Sequence, residues 1–181
     1  IFAWMVVALA REMAAGLGGG ASRRFAATLG LVLLAGFAIR NNNDHVLSFD
    51  GTRLGISHHA ADDTNRSNVY TLPLAGGVPV RVTKLGPSYL HGFSPDGKFL
   101  IYTGQRNNEL DIYRIPVEGG EEVRLTTATG VDDGSEYTPD GQWIYFSTSA
   151  REIAGNDIYR VKVSGGMPMA VTADRFTNEF G

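Results

Sequence analysis

His45 and His91 each stand five residues before an aspartate, Asp50 and Asp96, and the matching position before Asp140 is Ser135, with Glu136 beside it. Imidazoles and a carboxylate are ligand types for a divalent transition metal. Two histidines of the three or four ligands such a site needs leave it incomplete. The simpler reading has His91 bonded to a backbone carbonyl and His45 solvated at the start of a strand. His45, His91 and Glu136 are therefore taken as candidate ligand-binding positions. No cofactor is expected, and a metal on His45 and His91 is the sharper alternative.

The remaining chemistry-bearing residues carry less. His58 and His59 are adjacent in a strand and face opposite ways, which suits packing better than shared ligation. The run Ala60 to Ser67 holds Asp62, Asp63 and Asn65. Such oxygens suit calcium, but their spacing matches no known calcium loop, and the run reads as a solvated turn. Asp132-Asp133 reads the same way. The sequence has no Gly-x-Ser-x-Gly elbow, phosphate loop or His-Glu-x-x-His pair, so no catalytic residue is assigned.

These positions are set by a repeat. Ser94-Pro95-Asp96-Gly97 is a turn in which Ser94 bonds back to the backbone, Pro95 presets φ, and Gly97 takes positive φ. Thr138-Pro139-Asp140-Gly141 keeps that chemistry, and Ser48-Phe49-Asp50-Gly51 keeps its Asp-Gly. A tyrosine-bearing strand, a Gly-Gly pair and an apolar-Thr ending follow each turn. Tyr70, Tyr113 and Tyr159 lie 43 and 46 residues apart. A period in the forties with four strand-like runs predicts blades of an all-β propeller, each a four-stranded antiparallel sheet. In the second unit the strands are expected over 89–94, 98–103, 111–117 and 121–126. Phe99 and Ile101 point to one face, Leu100 and Tyr102 to the other, so both faces are apolar and buried. Gly119-Gly120 is expected to close a tight hairpin. Asn68, Asp111 and Asp157, two residues before each tyrosine, are expected to cap the loop entering the third strand.

Blades are expected at about 44–83, 88–126 and 131–172, with a fourth starting at 176–181. Closed propellers need at least about four blades, so the sequence predicts further blades of a longer parent protein. Arg23-Arg24 precede the apolar run from Phe25 to Ile39. That pattern fits a secretory signal, and it is short for a transmembrane helix. The other reading of residues 1–40 is a mis-assigned or mistranslated start. The chain carries a net charge of −3 with no basic run interleaved with aromatics, which argues against nucleic acid. With no cysteine, disulfide and thiolate-metal chemistry are excluded.

The pattern of SPDGKFLIYTG, DIYRIPVEGG and VRLTT resembles the TolB-like propeller repeats over about 140 residues. The resemblance implies six or seven blades in all and a central channel lined by inner strands. It implies a non-catalytic scaffold in the bacterial periplasm or envelope, with a protein or a small or oligomeric ligand bound at the channel mouth. Similar blades also occur in prolyl-oligopeptidase-type peptidases and in oligogalacturonate lyases, whose channel metal is held largely by histidines. An enzymatic propeller is therefore the alternative. The separate α/β domain that precedes the propeller in some members is not visible in this sequence.

Overall fold

The computed structural model describes residues 40–59, 66–149 and 156–172. The expected leader, the acidic residues of the 60–67 loop and the start of a fourth blade lie outside the described residues. The described residues are all-β, in three four-stranded antiparallel sheets. The first blade holds β1 (Asn41–Leu47), β2 (Arg53–His59), β3 (Ser67–Pro73) and β4 (Val80–Arg81). The second holds β5 (Ser88–Phe93), β6 (Phe99–Arg106), β7 (Glu109–Pro116) and β8 (Val123–Arg124). The third holds β9 (Asp132–Tyr137), β10 (Trp143–Thr148), β11 (Asp157–Lys162) and β12 (Met169–Ala170). The inner strand β5 packs between β1 and β9.

The turn between first and second strands is built the same way three times. The Ser48 hydroxyl donates to Asp50 at 2.6 Å and accepts the Arg53 N–H at 2.9 Å. Ser94 repeats this with Asp96 at 2.6 Å and the Phe99 N–H at 2.9 Å. Thr138 does so with Asp140 and the Trp143 N–H. These hydroxyls hold the carboxyls of Asp50, Asp96 and Asp140 below the usual range. Gly51, Gly97 and Gly141 exit at φ of 67°, 69° and 68°, where an L side chain is strained.

The outer edge repeats as closely. Thr83, Thr126 and Thr172 each accept a strand N–H, from Val69, Ile112 and Ile158, at 2.9, 3.0 and 2.9 Å. Arg81 donates to Asn68 at 2.7 Å, and Arg124 pairs with Asp111 at 2.7 Å. In the third blade Ala170 replaces the arginine, and Thr172 donates to Asp157 at 3.1 Å. Asn68 and Asp111 thus tie the third strand to the fourth, and Asp157 ties it to the threonine just beyond the fourth; Asn68 also donates to the Arg66 carbonyl at 3.1 Å, in the connection that enters β3. They already lie inside β3, β7 and β11, where the side chain meets the neighbouring strand. Gly119 and Gly120 have positive φ but sit in a six-residue connection, 117–122, longer than the expected tight hairpin.

Both faces of the middle blade are buried, as the apolar pattern of β6 requires. Leu100, Tyr102, Tyr113 and Ile115 pack with Val69, Val82, Leu90 and Phe93 on the first-blade side. Ile101, Ile112 and Leu125 pack with Ile144, Phe146 and Val161 on the third-blade side. Burying each such side chain contributes on the order of 1.5–3 kcal/mol. The fit is close: a Cβ built on Gly55 of β2 would lie 2.5 Å from Leu90 Cδ2.

Candidate functional site

A β-bulge places His91. Leu90 pairs with Tyr102 and Gly92 with Ile101, so His91 is the extra residue of β5. β1 and β9 shift register in the same part of the inner strand. Bulges re-aim side chains, and here they bring groups from three blades to one point. His91 Nδ1 lies 3.0 Å from Asp44 Oδ2 of the first blade. Its Nε2 lies 2.9 Å from Asp133 Oδ1 of the third blade and 3.1 Å from Thr103 Oγ1 of its own blade. Thr103 Oγ1 also donates to Asp133 Oδ1 at 2.7 Å.

His91 is 9% exposed. Burial alone would lower its pKa, but the carboxylates of Asp133 and Asp44 outweigh it and raise it to about 9. Burial likewise pushes Asp133 up, while hydrogen bonds from His91 and Thr103 bring it down to about 2. The pair is therefore an imidazolium facing carboxylates at neutral pH. Both ring nitrogens then carry protons directed at oxygen. Among the described residues no group of three or more His, Asp or Glu side chains is placed to hold a metal ion.

Glu136 joins this cluster from β9. A Cβ on Gly92 would lie 4.0 Å from its Oε2, so the carboxylate reaches across the glycine of the neighbouring inner strand. Burial raises its pKa, and the His91 charge opposes that rise. His45 is half-buried in β1 opposite Ile56; its neighbour Asp44, not His45, meets His91. Ser135, the match of His91 in the repeat, is fully buried. The cluster presents three carboxylates around one imidazolium on the inner strands, an arrangement that favours ligands offering N–H or O–H donors or positive charge.

A profile of the TolB beta propeller domain matches residues 45–180. The chain belongs to the TolB beta propeller domain family. It is 42% identical over 145 residues to an uncharacterized protein of Agrobacterium fabrum, covering 80% of this chain and 48% of that one. It is also 42% identical to the solved structure of a candidate TolB from Agrobacterium tumefaciens, with a TM-score of 0.73, covering 80% of this chain and 50% of that one. TolB from Acinetobacter baumannii has the same fold at 19% identity and a TM-score of 0.65, covering 77% of this chain and 34% of that one. The chain spans about half the length of the Agrobacterium relatives it matches.

In this TolB-like propeller the sequence reading missed three members of the cluster: Asp44, Asp133 and Thr103. It took Asp132-Asp133 for a solvated turn. Instead both lie in β9, with Asp132 only 2% exposed. The reason is the bulges: aligning blades by their turns puts His45 and Ser135 level with His91, while contact runs between residues one or two places further from the turn. The adjacent acidic pair at the head of an inner strand was the signal available. His91 also bonds carboxylates and not a backbone carbonyl. His58 is buried, edge-on to Tyr70 at a centroid distance of 5.8 Å, and burial lowers its pKa. Among the described residues no helix is long and apolar enough to cross a membrane.

Proposed function

We propose that this propeller is a non-catalytic binding module whose contact surface is the channel-side cluster of Asp44, His91, Asp133 and Glu136. The single observation that carries this reading is a buried imidazolium gripped by carboxylates from blades on either side, at 3.0 and 2.9 Å. Fold alone does not decide function; this cluster is where the repeat stops repeating. The occupant is a partner protein segment or a small or oligomeric ligand that brings donors or cationic groups to Glu136 and Asp44. His91 is a positioning residue that holds Asp44 and Asp133 in place. Further blades of the parent protein complete the channel wall. The expected compartment is the periplasm or envelope, in keeping with the family and with the apolar run after Arg23-Arg24.

The test is site-specific photo-crosslinking of the full-length protein in its host, with the probe at Glu136 or at Glu118 on the outer edge. The reading expects a discrete adduct from position 136 and none from 118. Equal labelling at both, or none at 136, overturns it. A fusion of residues 1–60 to alkaline phosphatase checks export, since that reporter is active only outside the cytoplasm. An inactive fusion removes the compartment while leaving the binding site untouched.

A further inference from the structure

At the opposite end of β9 from Asp133, a cavity of about 200 Å³ opens between the second and third blades. Its wall includes Asp96 and Phe99 of the second blade, Arg114 of β7, and Tyr137 and Asp140 of the third blade. Pro95 and Gly141 close it above, where a Cβ on Gly141 would touch the proline ring at 3.6 Å. The Arg114 guanidinium lies over the Phe99 ring, 4.5 Å from its centroid. Two buried polar atoms here have no hydrogen-bond partner among the described residues: the Tyr137 hydroxyl and Arg114 Nε. Burial pushes the Tyr137 phenol well above its ordinary value, with Arg114 and Asp96 the charges acting on it.

Tyr137 departs from the repeat, whereas Arg114 is shared with the third blade, where Arg160 lies over Trp143 as Arg114 lies over Phe99. Tyr137 stands three residues before its turn aspartate, where the first two blades have Leu47 and Phe93. Arg114 lies opposite Ile101 in the β6–β7 ladder, and the matching first-blade residue opposite Gly55 is Thr71. Between the first and second blades those positions hold Thr71 and the buried Phe93, an arrangement without these two donors. Tyr137 and Arg114 therefore converge on one cavity, and each brings a buried donor with no acceptor among the described residues. Unmade hydrogen bonds of that kind are costly, so retaining both points to an acceptor that arrives from outside.

The same wall also carries carboxylates. Asp96 and Asp140 line it, each holding its own turn through one oxygen. A bare anion would meet those charges, and a bare amine would meet Arg114. We propose that the cavity is a binding site for an α-amino-carbonyl group, the ammonium and carbonyl oxygen of a free amino acid or of a peptide amino terminus. The oxygen accepts from Tyr137 and Arg114, and the ammonium faces Asp140 and Asp96. The volume suits a ligand of this size, since liquid water takes about 30 Å³ per molecule and the cavity would hold about seven.

Calorimetric titration of the full-length protein with glycine, glycinamide, N-acetylglycine and methylamine tests this. Glycine or glycinamide should bind saturably, at least about tenfold tighter than the two one-ended probes, the scale of one charge-assisted hydrogen bond. Tighter glycine identifies a free amino acid; equal or tighter glycinamide identifies a peptide amino terminus. Tyr137→Phe should weaken the better probe about tenfold without lowering Tm, because it removes a hydroxyl that no described residue bonds. Arg114→Gln should also weaken it, and Arg53→Gln should not. No saturable binding, equal affinity for N-acetylglycine or methylamine, or unchanged affinity in Tyr137→Phe overturns the proposal and leaves water as the occupant.

Discussion

The outer edge and the inner edge of these blades follow opposite rules. At the outer edge a threonine accepts a strand N–H in every blade, within 0.1 Å of the same distance. At the inner edge the matched residues are His45, His91 and Ser135, two residue types across three blades. The outer edge closes each sheet on itself, and the inner edge joins one sheet to the next. What recurs maintains the blade. What changes from blade to blade is free to serve a partner.

The largest way to break the contrast is Tyr113→Ala. The ring is buried, stacked on Tyr102 at 5.8 Å and covered by Arg106. Its loss should cost about 3–5 kcal/mol, the range for aromatic truncation in a core. A denaturation midpoint unchanged from wild type would show that the recurrent tyrosines do not hold the blades.

Next is Thr126→Val, which orphans the Ile112 N–H in a buried strand. A loss of about 1–3 kcal/mol is expected. Ser135→Ala, at the inner edge, removes a fully buried hydroxyl that has no partner among the described residues and should cost less than Thr126→Val. Equal losses would erase the distinction between the edges.

The His91 cluster sharpens the contrast through pH. The folded pKa of His91, about 9, lies above its ordinary value of 6.5. Its contribution is therefore complete below pH 6.5 and fades as pH rises through about 9. Asp133 is depressed to about 2, so its contribution is present above its ordinary 3.8 and disappears as pH falls toward 2. Wild-type Tm should fall between pH 7 and 10, and His91→Gln should flatten that slope. A wild-type slope retained in the variant would rule out His91 as its source.

The smallest effect belongs to Arg53–Glu118, an exposed first-to-second-blade pair at 2.7 Å. Glu118→Ala should shift stability by about 0–1 kcal/mol, diminishing with salt. A larger loss would make surface pairing a real component of blade assembly.

Most of the fold was legible because it rests on local chemistry. The turn Ser94-Pro95-Asp96-Gly97 names its own geometry, and Phe99 to Tyr102 alternates between two buried faces, which only a strand between two sheets can use. The observed β5, β6 and β7 begin or end within three residues of their expected bounds. The cluster was half legible. His91 and Glu136 stood out by type and position, and the structure brings both to the same place. Asp44 and Asp133 did not, because a bulge adds a residue that the turn-based alignment cannot count. Arg114 and Tyr137 were hidden for another reason: each is an ordinary strand residue until the neighbouring blade supplies the opposite wall.

Gly55 has a wider meaning for how such a chain can change. Its missing side chain is a dent shaped for Leu90 of the next blade, with 2.5 Å left for any added carbon. A copied blade inserted at this seam would bring its own residue against that dent, and the match would be lost. The heritable module of this propeller is therefore the seam between two sheets, and a duplication that keeps both halves of a seam has the better prospect of folding.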